Sequence, residues 1–351
     1  MLDTYTATRW SLRLSLSLLL STVVLVGTGC GLFGASKKVQ VPPLLTPLAE
    51  ANKTQLTNEI NRLAALQSIH GRVDIQFEDT SFAEAGIAEK YRQADGQVTL
   101  QRPGKVYLIV KVPFIATDIA QMTSDGERFR VAVLQGDDRY RRFVKGTNSA
   151  VYEKLPVNGA PDQTERSDRR SMNEKQTVSA LSNLRPQHLT DALMLNPIDS
   201  GTLVYAMSEF FNDEPDTRRQ AKKGSRVVRG YYVLEESTQP SGSDSLLRRR
   251  FWFDRVGGIR LARLQTFDDR GRLVTEVSYS DEKMFGEGNQ LRLPSRVEIT
   301  RPHDQYKLSI TYQAPASVDL NKEYRPEVFV LENRWQLPEF DLDARQNQVT
   351  N

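Results

Sequence analysis

Apolar and polar side chains alternate with a period of two in several short runs. Val73, Ile75 and Phe77 alternate with Arg72, Asp74 and Gln76, and Val98 and Leu100 with Gln97, Thr99 and Gln101. Arg102-Pro103-Gly104 punctuates the chain before Val106, Leu108, Val110 and Val112 fall on one face. Asp125-Gly126 then leads into Phe129, Val131 and Val133, and Gly136-Asp137-Asp138 into Tyr140 to Val144. Period-2 runs separated by Gly, Asp and Pro turns predict antiparallel hairpins. The same grammar returns over 226–234 and 249–254. Beyond Gly257-Gly258 it runs through Leu264, Val277, Val297, Ile299, Leu308, Ile310 and Tyr312, an up-and-down meander. Leu293-Pro294 is expected to open the strand holding Val297. Such sheets bury one face and wet the other.

Helical spacing interrupts the strands twice. Thr46-Pro47 offers an N-cap and a first-turn proline, and Leu56, Ile60, Leu63 and Ala64 share one face of a helix expected to end near Ser68. Val178, Leu181 and Leu184, then Leu189, Ala192 and Leu193 after Arg185-Pro186, predict helix in the middle of the chain. Residues 158–175 are polar, charged and aperiodic, and read as a mobile insertion. Leu203 to Phe211 fits helix or strand, and Asn212 to Gly224 reads as a charged loop. With strand-rich halves flanking a helical middle, one continuous sheet fits better than two domains. The expected class is α+β, a curved antiparallel sheet wrapped around a few helices.

Composition narrows the functions. The 351 residues carry 47 Lys plus Arg against 44 Asp plus Glu, a net +3 that does not suit a strongly basic nucleic-acid binder. The chain has one Cys, which makes no internal disulfide. Its position is more informative. Arg9 and Arg13 precede an apolar run from Leu14 to Val26, shorter than the roughly 20 residues of a membrane span. Gly27-Thr28-Gly29 then leads directly into Cys30. This resembles the lipobox of bacterial lipoproteins, and the resemblance implies an acylated Cys30 as the first mature residue. Residues 1–29 are thus expected to be a signal peptide, 30–45 a tether, 46–340 one domain and 341–351 a polar tail.

No catalytic constellation emerges. His70, His188 and His303 lie in different elements without metal-ligand spacing, and phosphate-binding and nucleophile-elbow motifs are lacking. Asp137/Asp138 and Asp268/Asp269 sit in turns, where Asp bonds its own backbone. The expectation is a protein that is not an enzyme and needs no cofactor.

A lipid-anchored chain that runs helix, curved strands, central helices and closing meander resembles the LolA/LolB-like superfamily of periplasmic and outer-membrane lipoprotein-binding proteins. The most similar stretches are residues 66–73, 100–108, Trp252-Phe253-Asp254, residues 264–268 and Leu293 to Val297. The resemblance implies a half-open barrel around helices, with an apolar cavity for the acyl chains of lipids or lipoproteins. It also implies an outer-membrane, periplasm-facing location and no bond making. Inward strand faces supply the cavity candidates Val73, Ile75, Val106, Leu108, Val110, Phe129, Val131, Phe251, Phe253 and Leu264. A non-enzymatic scaffold or sensor that binds a protein partner through the same fold is the alternative. The protruding apolar loop of LolB-like proteins corresponds here to Pro113 to Ala116, so Phe114 and Ile115 are candidates for contact with the bilayer or an acyl chain. In a form of the protein lacking its acyl anchor, Phe114→Glu should reduce co-flotation with vesicles. Undiminished flotation would remove this loop from the membrane contact.

Overall fold

The computed structural model describes residues 41–80, 89–90, 93–112, 117–135, 138, 141–150, 152, 184–198, 201–218, 220–239 and 245–349. Residues 44–351 form one compact unit. Cys30, the Phe114-Ile115 loop and the insertion near 158–175 lie outside the described residues.

The first helix, α1, spans Lys53–Ala64 and buries Leu56, Ile60, Leu63 and Ala64, the stripe that the 3.6-residue period marks. Its start differs from expectation. Asn52 is the N-cap: its side chain accepts from the Gln55 amide while Gln55 reaches back to the Asn52 N–H, a reciprocal capping box. Thr46-Pro47 instead forms a cis peptide seven positions upstream of Lys53. The helix stops at Ala64, and Ser68 already opens the first strand.

Seven strands follow, β1 (Ser68–Asp79), β2 (Glu89–Lys90), β3 (Ala94–Gln101), β4 (Lys105–Lys111), β5 (Asp118–Asp125), β6 (Arg128–Val133) and β7 (Arg142–Thr147). Helix α2 (Pro186–Leu193) leads to the meander of β8 (Leu203–Pro215), β9 (Arg226–Thr238), β10 (Leu247–Asp254), β11 (Arg260–Phe267), β12 (Leu273–Phe285), β13 (Leu291–Arg301) and β14 (Tyr306–Tyr312). The ambiguous segment at Leu203 is therefore strand, and it runs on to Pro215, so the charged loop expected from Asn212 shortens to 216–225. Pairing with β9 along its whole length is a tertiary gain that local polarity does not register. Pro294 lies inside β13 rather than at its start. The ladder to β12 skips Asp281 and Ser295 beside it, the kind of irregularity that accommodates a proline within a sheet. Two-residue β15 (Asp319–Leu320), β16 (Glu339–Asp341) and α3 (Leu342–Val349) finish the chain, so the polar tail holds a short helix.

The described strands form one large, open, curved sheet in the order β16-β7-β6-β5-β4-β3-β1-β14-β13-β12-β11-β10-β9-β8, with β2 and β15 also on β1. The β16–β7 pair is parallel and the others are antiparallel. The join between the halves is β1 on β14, in a register from Val73↔Tyr312 to Asp79↔Tyr306.

One face of this sheet is apolar across nearly its whole width. A single cross-strand row runs Met207, Leu234, Phe251, Leu264, Val277, Ile299, Leu308 and Phe77. A second row in the other half runs Gly71, Val98, Leu108, Met122, Val131 and Val144. Because side chains alternate with period two, any one-residue slip would carry a whole row to the other face. Gly96 shows how tight this face is, since a Cβ there would stand 2.6 Å from Ile75 Cδ1. Both α1 and α2 pack on this inner face, α1 against β11 and α2 against β4, β5 and β13. On the outer face the segment 329–337 covers Ala132 and Phe143 with Leu331 and Leu337, a small second cluster. No described helix is long and apolar enough to cross a membrane.

Phe253 is wholly buried on the inner face, whereas Val330 is 43% exposed. Phe253→Ala should cost about 3–5 kcal/mol of stability in urea denaturation. Val330→Ala should stay within about 0.5 kcal/mol.

Candidate functional site

The two helices do not seal the inner face. Between α1, α2 and β11–β14 lies a cleft walled by Leu63, Leu66, Ile69, Ala192, Leu193, Leu195, Leu261, Leu293, Pro294, Val297, Tyr279 and Tyr312. Its polar members besides the tyrosines are Glu59 and Glu282. The free interior is about 40 Å³, room for only a few water molecules. Burial raises the Glu282 carboxyl above the ordinary range, against the opposing pull of Arg260 and Arg292. Glu59 is held by a bidentate bond from Arg62, at 2.7 Å on each arm, and the same guanidinium donates to the Arg292 carbonyl.

Polar side chains from distant elements fix the wall formed by α2 and residues 195–198. Arg102 donates to the carbonyls of Leu66 (2.9 Å) and Leu195 (2.6 Å), tying the α1–β1 junction to the chain beyond α2. Arg249 donates to the carbonyls of Asn196 and Pro197 while paired with buried Glu236, which also accepts from the Tyr205 hydroxyl. Asn61 accepts from the Ile198 N–H, and Tyr279 OH donates to the Ala192 carbonyl at 2.9 Å near the C-terminus of α2. The bonds to Leu66, Leu195, Asn196, Pro197, Ile198 and Ala192 each pair a backbone group at or beyond the end of a helix with a side chain.

Deeper under α2, His188 Nδ1 and the Tyr306 hydroxyl are 2.6 Å apart, both residues buried. Burial, then the nearby Arg301 and Arg185 charges, hold His188 well below the ordinary imidazole range, so it is neutral. Arg185 itself lies over the rings of Phe129 and Tyr152 at 5.2 Å from each. This is a structural histidine. His70, half-buried in β1, is bonded to Thr99 Oγ1 (2.7 Å) and Gln97, and His303 occupies the exposed turn before β14. Asp268 accepts from the Arg270 and Arg272 amides, which lowers its carboxyl, as a turn aspartate does. Among the described residues no cluster of three or more His, Cys, Asp or Glu is arranged to hold a metal ion.

The ten cavity candidates Val73, Ile75, Val106, Leu108, Val110, Phe129, Val131, Phe251, Phe253 and Leu264 all face inward. Each is buried in the main core, and none lines the cleft. The cleft uses the next positions along the same faces, Ile69, Leu261, Tyr279, Val297 and Tyr312, together with Leu63 and Ala192 from the helices. Leu63 and Ala192 were readable as stripe residues of their helices. Which part of the inner face the helices leave open depends on where α2 docks, and no local pattern records that.

A second depression, of about 550 Å³, lies at the ends of β4–β7 beside α2. Its lining of Gly104, Gly126, Glu127, Thr147, Asn148, Ser149, Gln187 and Thr190 is mostly polar in type.

No protein-family model matches the chain, and no curated protein matches it. Among solved structures it is similar to a LolA superfamily protein from Nitrosomonas europaea, at 10% identity and a TM-score of 0.40, over 80% of this chain and 99% of that one. It is also similar to a DUF1329 family protein from Desulfovibrio piger, at 12% identity and a TM-score of 0.36, over 81% and 96%. A third is an outer membrane lipoprotein-sorting protein domain from Vibrio parahaemolyticus, at 11% identity and a TM-score of 0.36, over 79% and 97%.

The buried imidazole makes stability depend on pH. Below about pH 6.5 the unfolded chain binds a proton at His188 that the folded chain refuses, so stability falls as pH drops from there toward the lowered folded value. His188→Gln should remove up to about 1.4 kcal/mol per pH unit from that slope, measured by denaturant titration between pH 4.5 and 7.

Proposed function

We propose that this chain is a lipid-anchored envelope protein. In this reading an acylated Cys30 holds it in the outer membrane, facing the periplasm. Its cleft between α1, α2 and the inner sheet face takes the acyl chains of lipids or lipoproteins during their transport or insertion. The observation that carries the reading is the wall of the cleft: apolar side chains from two helices and from β1, β11 and β13 converge there, with the tyrosine rings of β12 and β14 beside them. Acyl chains enter such a concavity because water is released from them and from its lining. Binding of this kind needs neither a cofactor nor a catalytic group.

The free interior of about 40 Å³ gives the proposal a mechanical condition. A chain enters only if α2 and residues 195–198 move away from α1, and the bonds from Arg102, Arg249 and Asn61 oppose that movement. Glu59 and Glu282 would lie alongside the ligand, and the raised Glu282 carboxyl is less costly to bring against an apolar chain than an ordinary one.

The small interior also supports a second reading, in which the cleft stays filled and the domain is a scaffold for a protein partner. Extraction and mass spectrometry of non-covalent lipid from the purified full chain separates the two. The carrier reading expects acyl lipid with the native protein and its loss from Ala192→Phe, which fills the cleft, with the circular dichroism spectrum retained. A folded native protein that carries no lipid and takes none up from vesicles would sink the carrier and favour the scaffold.

A further inference from the structure

The turn between β8 and β9 is a built element. The Asp216 N–H donates to the Ser225 carbonyl, Ala221 N–H to Arg218, and Ser225 N–H and Oγ both to the Lys222 carbonyl, with Gly224 in the left-handed region. Every carboxylate at this end of the hairpin is engaged by an arginine. Asp216 pairs with Arg218 at 2.7 Å, Asp213 with Arg226 at 2.8 Å and Glu214 with Arg229 at 2.7 Å. Lys222 and Lys223 project from the turn, both exposed, and neither ammonium has an ion pair among the described residues. The tip therefore presents two uncompensated positive charges on a hydrogen-bonded frame.

The same hairpin receives the N-terminal segment of the domain. Leu44 bridges to Val228, and the Leu45 N–H donates to the Val228 carbonyl at 2.9 Å. Val228 is two residues into β9 from Arg226, a distance of about 7 Å along the strand. Leu48 packs over Gly230 beside Phe211, and Arg255 secures Ala49 and Glu50, so this entry point is firmly attached. By sequence thirteen residues separate Cys30 from Leu44, a reach of at most about 50 Å. A leaflet that holds an acylated Cys30 is thus tethered to the β8–β9 end of the sheet.

We infer that the β8–β9 turn, through Lys222 and Lys223, is a docking surface for the anionic headgroup layer of the membrane that holds the anchor. This rests on the acylation of Cys30 proposed above. The lysines would be drawn to the negative surface potential of the leaflet and would turn this end of the sheet toward it. The docking adds orientation to an anchor that by itself leaves the domain free to tumble.

The test is acetylation footprinting of the full chain purified from membranes. It is placed with vesicles of pure phosphatidylcholine or of phosphatidylcholine containing phosphatidylglycerol. Lys283 and Lys322, exposed elsewhere on the fold, serve as internal references. Lys222 and Lys223 should label roughly fivefold more slowly on the anionic vesicles, the partition expected for one basic side chain at such a surface. That protection should disappear in 0.5 M NaCl. Equal labelling on both vesicles overturns the docking surface, as does protection that extends equally to the reference lysines. Flotation with pure phosphatidylcholine reports the anchor separately. Loss of flotation there removes the anchor, whereas intact flotation with lipid-insensitive labelling removes the hairpin alone.

Discussion

The pairing of β1 with β14 is the constraint on which the rest of the molecule depends. These strands come from opposite ends of the described domain, and their register joins two meanders into one sheet. The entropic cost of closing so long a loop grows only logarithmically with its length, so the separation itself is affordable. What makes the register definite is the inner face. Ile310 meets Ile75 and Leu308 meets Phe77, and each continues an apolar row already set by the neighbouring hairpins. Without this seam each half would expose a long strand edge and an uncovered apolar face.

The seam also decides where the helices go. A continuous apolar face needs cover, and α1 and α2 supply it over β11 and over β4, β5 and β13, while α3 adds Leu342 at the β7 end. Between them they cover it incompletely. The remaining gap is narrow and is kept so by polar bonds rather than by packing alone. Arg102 from the β3–β4 turn, Arg249 from β10, Tyr279 from β12 and Asn61 from α1 hold α2 and its following segment in place. Hydrogen bonds can be exchanged with water or headgroups in a way that interdigitated side chains cannot, so a wall held like this can yield while the core beneath stays packed. The proposed acyl-binding role uses that difference.

The outer face and the hairpin ends carry most of the charge. Their arginine–carboxylate pairs are mostly partly exposed and contribute little to stability individually. Arg255 is an exception: only 4% of its side chain is exposed, and it joins Glu50, Glu209 and the Tyr232 ring while bonding the Ala49 carbonyl. It fixes the point where the N-terminal segment, from Leu44 to Glu50, meets the sheet.

Much of this architecture was legible in the chain. Alternation located the inward positions Val73, Val106, Phe251 and Leu264, and Gly and Asp marked most turns, because strand periodicity and turn chemistry are local properties. Local signals misplaced the N-cap, which needed the reciprocal Asn52–Gln55 geometry, left Leu203 to Phe211 open between helix and strand, and read loop from Asn212, where pairing with β9 carries the strand on to Pro215. The candidate site was the least legible part. The ten inward residues proved to be packed core, and the cleft falls on their neighbours Ile69, Tyr279, Val297 and Tyr312. The sequence by itself determined which face turns inward in the strands that alternation marks, and it marked Cys30 as the residue expected to carry an anchor. Only the tertiary structure decided which part of that face stays uncovered. Periodicity specifies a side chain's direction, whereas a gap depends on where a separate helix docks and on the distant arginines that hold it there.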